Sequence, residues 1–282
     1  MAQAQAIKIV KEFNDILSNA MDEYRPLSVA ERLKVDGILD SMFRIDRDKY
    51  FALYSAYSSL IGDATALEDC SKHFFSRGEF QLDNNSYRCL LSMSNAAMYE
   101  QIYNILKDVD VFPQQFFELY RIAFNSAVTL LDVHKAKEIL SKVPNDFFDA
   151  QDREWFDIMF NNVSLFNEHY GDEEIKKVQN YVVEILKTHR QKIIKPIYEE
   201  AGTCILMPKF FSDEGKGFLN IVVEYVSDNV DKSIDLEDDF YQVLFKKDHF
   251  PRTALDVVVY SLIPISVDSA ATMFEKIVDV EF

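Results

Sequence analysis

Glycine and proline are both scarce in this sequence, with 7 of each among 282 residues. Glycine supplies the positive-φ positions that tight hairpins and phosphate-cradling loops require, so its shortage disfavours loop-rich β folds and favours helices. Cysteine is nearly absent. Cys70, Cys89 and Cys204 form an odd, widely spaced set, which argues against a disulfide framework and suits a reducing compartment. Long apolar runs are missing too: no stretch approaches bilayer-spanning length, and the N-terminal MAQAQAIKIVKEFNDIL carries charges throughout, unlike the unbroken apolar core of a signal peptide. These absences lead us to expect a cytoplasmic protein.

Cations are the minority charge. Lys and Arg total 30 against 47 Asp and Glu, a net charge of −17. The surface potential therefore repels nucleic-acid phosphates and anionic membranes, and neither is expected as a partner. The longest basic stretch, KTHRQKIIK over 187–195, reads as a solvated helix face. Negative charge is denser in residues 201–282, which hold 7 basic against 15 acidic side chains.

What the chain does contain is apolar and aromatic: 48% hydrophobic residues, with 23 Phe and 14 Tyr, enough for a sizeable core. Apolar positions recur at helical spacing from residue 4 to about 195, predicting helices near 4–22, 28–42, 47–61, 64–76, 84–94, 96–107, 114–130, 133–143, 150–168 and 172–194. Ser28 followed by Glu31 forms a capping box, and Asp172-Glu173-Glu174 places negative charge at a helix start. These pair into five hairpins. Tyr50, Tyr87, Tyr120 and Trp155 fall early in alternate helices, suggesting a repeat of about 34 residues.

The segment 114–143 (QQFFELYRIAFNSAVTLLDVHKAKEILSKV) resembles an irregular tetratricopeptide unit. Tyr120 takes the early aromatic position, Ala136 the small residue at the helix crossing, and Leu140 the large apolar residue after it, while Phe124, Val143 and Pro144 depart from the pattern. The resemblance, over roughly 47–190, implies a right-handed stack of hairpins that holds an extended peptide or a partner's acidic end. A single irregular α-bundle is the other architecture compatible with these helices.

The pattern changes near residue 200. TCILM over 203–207, FLNIVVEYV over 218–226 and ALDVVVYSLI over 254–263 read as strands, with a turn at Gly215 and Gly217, a helix near 235–247 and a last helix near 268–279. The fold class expected is mainly α: a stack of about five helix hairpins over 1–200, followed by a small acidic α+β domain or cap with about three strands over 201–282.

Motifs for chemistry are absent. The sequence has no GxxxxGK[ST], GxGxxG, GxSxG or HExxH, and its five histidines lie apart. The run from Asp231 imitates an EF-hand only at its first positions and then puts Leu236 where glycine is required, so it reads as a loop with Asp235 and Glu237 at a helix N-terminus. Asp256, a carboxylate within a predicted strand, would be the anchor of an enzyme of unfamiliar type whose site lies between the helices and the C-terminal part. The preferred reading is a non-enzymatic interaction protein without cofactor or metal, acting as an adaptor, a regulator or an immunity-type neutralising partner. Two surfaces are candidates. In the repeat phase above, Phe51, Arg88, Arg121 and Phe156 share an inner face, and Arg88, Arg121 and Asn125 would grip a carboxylate or phosphate of a protein or peptide. Alternatively, Asp235, Glu237, Asp238 and Asp239 would attract a basic partner.

Overall fold

The computed structural model of the chain describes residues 2–76, 81–109, 111–144, 147–201, 204–213, 216–227, 229–246 and 257–266. Among them the order begins with α1 (Ala2–Asp22), α2 (Val29–Ile45), α3 (Arg47–Ile61), α4 (Ala64–Phe75), α5 (Asn84–Asn95) and α6 (Tyr99–Leu106). A short 3-10 turn, Gln114–Phe116, precedes α7 (Glu118–Thr129), α8 (Val133–Lys142), α9 (Ala150–His169), α10 (Asp172–Lys192) and α11 (Ile194–Ala201). Then come β1 (Cys204–Asp213), β2 (Lys216–Val226), α12 (Val230–Phe245) and β3 (Val258–Ile265). The chain is mainly helical with a small three-stranded sheet towards its C-terminus, as the hydrophobic spacing predicts. No described helix is long and apolar enough to cross a membrane.

Part of the acidity is spent at helix starts. Asp46, Asp63, Asp83, Asp132 and Asp149 each accept a backbone amide of the helix they open, which satisfies a donor that lacks an intrahelical partner and sets a carboxylate at the positive end of the dipole. The predicted box at Ser28 is formed in both directions, Ser28 Oγ accepting from the Glu31 amide and Glu31 from the Ser28 amide. Helix ends show the cost of scarce glycine. Gly62 takes the left-handed conformation after α3 (φ 70°), but Ala97 after α5 (φ 54°) and Leu131 after α7 (φ 59°) do so without being glycine, a strained choice that the surrounding packing must hold. Gly62 is required twice over, because a Cβ there would lie 2.8 Å from the backbone nitrogen of Lys195.

Among the described residues two apolar clusters fill the interior. A smaller one joins α1, α2 and α3 through Phe13, Leu17, Val35, Leu39, Met42 and Leu53. A larger one runs from Leu67 on α4 through α5–α11 into the sheet, where Leu219, Ile221, Val223, Tyr225 and Tyr260 belong to it. Each fully buried large apolar side chain contributes roughly 1.5–3 kcal/mol.

β1 and β2 form an antiparallel hairpin and β2 pairs with β3 in parallel, giving the order β1-β2-β3 with α12 in the crossover. Alternate residues Leu219, Ile221, Val223 and Tyr225 are wholly buried. With Tyr260 and Leu262 in register beside them, they make the inner face. α9 and α11 pack on β1 and β2, and α10 and α12 on β3.

The helix expected over 235–247 begins earlier than predicted. Asn229 caps it by accepting from the Lys232 amide at 3.1 Å, so Asp235 and Glu237 sit inside the helix and not at its N-terminus, and the run from Asp231 is helix instead of loop. Asp256, Gly215 and the helix expected over 268–279 lie outside the described residues.

Candidate functional site

The inner-face residues have unequal fates. Phe156 is 2% exposed and belongs to the core, and Phe51 lies flat on His73 with centroids 3.9 Å apart. Arg121 on α7 is consumed locally. Its Nη2 donates to Asp152 Oδ1 at 2.9 Å, its Nε lies 3.3 Å from Glu118 Oε2, and its guanidinium rests over the Phe148 ring at 5.3 Å. Burial pushes the Glu118 carboxyl up in spite of that neighbour. Arg88 on α5 differs. It is half-buried, burial lowers its pKa, and no described carboxylate lies within ion-pair reach. Asn125 is also half-buried, and its side chain makes no hydrogen bond among the described residues.

The acidic set divides along α12. Glu237 turns inward and its carboxylate accepts from the Leu262 backbone amide on the outer edge of β3. One helical turn on, Tyr241 Oη donates to the Tyr260 carbonyl at 2.8 Å and accepts from the Tyr260 amide at 2.9 Å. Together these side chains cap backbone groups that a further strand would otherwise pair, which protects the sheet edge. Burial raises the Glu237 carboxyl above its ordinary range. Asp235, Asp238 and Asp239 face outward and are exposed, with no ion pair to any described cation. Ile234 and Phe245, each 53% exposed, stand near the two ends of the helix along one edge of that outward face, where the Phe245 ring stacks on Tyr241.

Sequence reasoning missed a third set, in the basic stretch of α10. Far from being a solvated face, it buries Thr188, His189 and Arg190. His189 Nδ1 lies 2.7 Å from Tyr260 Oη, and the Tyr260 ring stacks on Phe240 at 3.9 Å. Burial, followed by the Arg190 charge, holds the His189 pKa down at about 3, so the imidazole is neutral. Arg190 pairs with Glu100 and donates to the Ala97 carbonyl at 2.8 Å, fastening the strained α5–α6 turn to α10. A flanking isoleucine pair, Ile193 and Ile194, was the available signal that this stretch faces inward.

All three cysteines are free thiols, and burial pushes Cys70 and Cys204 up to about 12, which suppresses the reactive thiolate. Among the described residues no group of three His, Cys, Asp or Glu side chains converges to hold a metal ion. No family model matches the chain, and no curated protein and no solved structure matches it either.

Proposed function

We propose that this chain is a non-enzymatic protein-interaction module, cytoplasmic and regulatory or neutralising in role, that binds a basic protein partner through the outward face of α12. The observation that carries the reading is the set Asp235, Asp238 and Asp239, exposed and without an ion pair among the described residues, on a helix whose other side is fixed to the sheet. Exposed carboxylates on a chain of net charge −17 accelerate encounter with a cationic partner and repel anionic ones. The helices that present this region are read as tetratricopeptide-like hairpins in a stack. Contacts of α3 with α5 and of α7 with α9, beside those between sequential helices from α1 to α9, support that reading, as does the full burial of Ala136, where a small residue lets α7 and α8 approach closely.

A second reading rests on Arg88. A half-buried guanidinium without a described carboxylate in reach is a ready site for an anionic group of a protein or peptide, whereas Arg121, tied to Asp152 and Glu118, is less available. Affinity capture from source-cell lysate separates the two. An Asp235→Asn/Asp238→Asn/Asp239→Asn variant should lose a salt-sensitive partner that an Arg88→Glu variant keeps. Loss in the Arg88 variant alone supports the second reading, and partners unaffected by either variant overturn both.

A further inference from the structure

The face that α12 turns to the sheet is fully occupied. Ser233, Glu237, Phe240, Tyr241 and Leu244 recur at the spacing of one helical stripe. Ser233 bonds Tyr225 at 2.5 Å, Phe240 stacks on Tyr260 at 3.9 Å, Leu244 is wholly buried, and Glu237 and Tyr241 cap the β3 edge. The helix is therefore held in place before any partner arrives, which lowers the ordering cost of binding. Its remaining face carries Ile234, Asp235, Asp238, Asp239 and Phe245. The two apolar side chains, each 53% exposed, lie three helical turns or about 16 Å apart on one stripe, with Asp238 close to the line that joins them and Asp235 and Asp239 along its flank.

We infer that this face docks a basic amphipathic helix of a partner protein, with Ile234 and Phe245 as its two apolar anchors and the aspartates beside that stripe meeting its lysines or arginines. This rests on the acidic-face reading above and adds the partner's structure and register. An opposing helix brings its own side chains back to one face after three turns, so two apolar residues at that spacing can reach both anchors while its cations face the carboxylates. An extended segment covers the same length in about five residues, and its side chains alternate between faces, so it cannot present both anchors with equal ease. A second copy of this chain, net −17, is electrostatically disfavoured as occupant.

The test uses the full-length chain and two synthetic alanine-rich peptides of identical composition. One carries two leucines three turns apart with lysines on the same face between them; in the other, the order is permuted so that leucines and lysines fall on different faces. By fluorescence anisotropy the first should bind about tenfold or more tightly than the second. An Ile234→Ser/Phe245→Ser variant, confirmed as folded by circular dichroism, should abolish that difference. Equal affinities for the two peptides, with binding lost in the triple Asp→Asn variant, would overturn the helix-docking inference and leave the acidic-face reading intact. Failure of both peptides to bind also overturns the inference, and the lysate experiment then decides the acidic-face reading independently.

Discussion

At α10 the charged groups are buried and answered, whereas on the outward face of α12 they are exposed and unanswered. Arg190, with a side chain 3% exposed, meets Glu100 and the Ala97 carbonyl. Asp235, Asp238 and Asp239 meet no described cation. A buried guanidinium that lost its carboxylate would be left with the full cost of desolvation, so the α10 charges are committed to the fold. An exposed carboxylate remains hydrated and costs little, so the α12 charges are free for use elsewhere. Charge sign alone does not separate the two; burial and local pairing do.

The comparison breaks most readily at Arg190. Arg190→Ala should lower unfolding stability by about 3–5 kcal/mol, because Glu100 and the Ala97 carbonyl are stranded in the interior. The triple Asp→Asn variant of α12 should stay within about 0.5 kcal/mol of wild type. Urea denaturation measures both, and similar losses would erase the distinction. An Arg190→Met/Glu100→Leu double variant should recover most of the loss if unpaired charge, and not lost packing, is its cause.

A second prediction concerns acid. His189 has a folded pKa of about 3, against roughly 6.5 in an unfolded chain. The unfolded state therefore takes up a proton that the native state refuses, and stability falls as pH drops through the window between those values. The slope approaches about 1.4 kcal/mol per pH unit for this one group. His189→Gln, which keeps a polar partner for Tyr260, should flatten that part of the stability profile. An unchanged profile would show that His189 is accessible to protons in the native state.

Helix positions were legible because caps and apolar spacing are local signals. Ser28 with Glu31 and the Asp172 start were visible in a few consecutive residues, and so were most boundaries. Strands at 218–226 and 254–263 were readable from mainly apolar runs rich in β-branched residues, the second of them observed as a strand from Val258 on. Illegible were the long-range matches. Nothing near Glu237 indicates that an amide of Leu262 will lie beside it, and the cations of 187–195 look solvated until Tyr260 and Glu100 are brought against them. Arg121 has the same difficulty. Glu118 was in view on its own helix, but Asp152 comes from α9, 31 residues away. The early start of α12 was missed because acidic residues read as loop, when Asn229 in fact caps the helix.

The third prediction tests unequal arginines within the helices. Arg121→Met should cost about 1 kcal/mol, since Asp152 and Glu118 lose a partly exposed partner. Arg88→Met should be neutral or stabilising by about 0.5 kcal/mol, because a desolvated cation without a described counter-charge is replaced by an apolar stem. Thermal unfolding of the two variants gives the sign directly. Equal destabilisation would mean that Arg88 has an electrostatic partner in solution, which would remove the ground for the second reading, in which Arg88 takes an anionic group of a partner.

The smallest effect is expected at Glu237, where the two kinds of charge meet on one helix. Its folded pKa is raised, chiefly by burial, so the native state holds the proton more tightly than the unfolded chain does. Ionisation therefore costs stability as pH rises from the ordinary carboxyl range through the raised value. Gln at this position can still accept the Leu262 amide and cannot ionise. Glu237→Gln should accordingly raise the unfolding temperature slightly at neutral pH, with the gain shrinking as pH falls below the ordinary carboxyl range. Asp235→Asn, on the exposed side of the same helix, should leave the unfolding temperature at neutral pH close to that of wild type. If both variants respond alike, the difference between inward and outward carboxylates on α12 is not felt by the folded chain, and Glu237 belongs with the free aspartates.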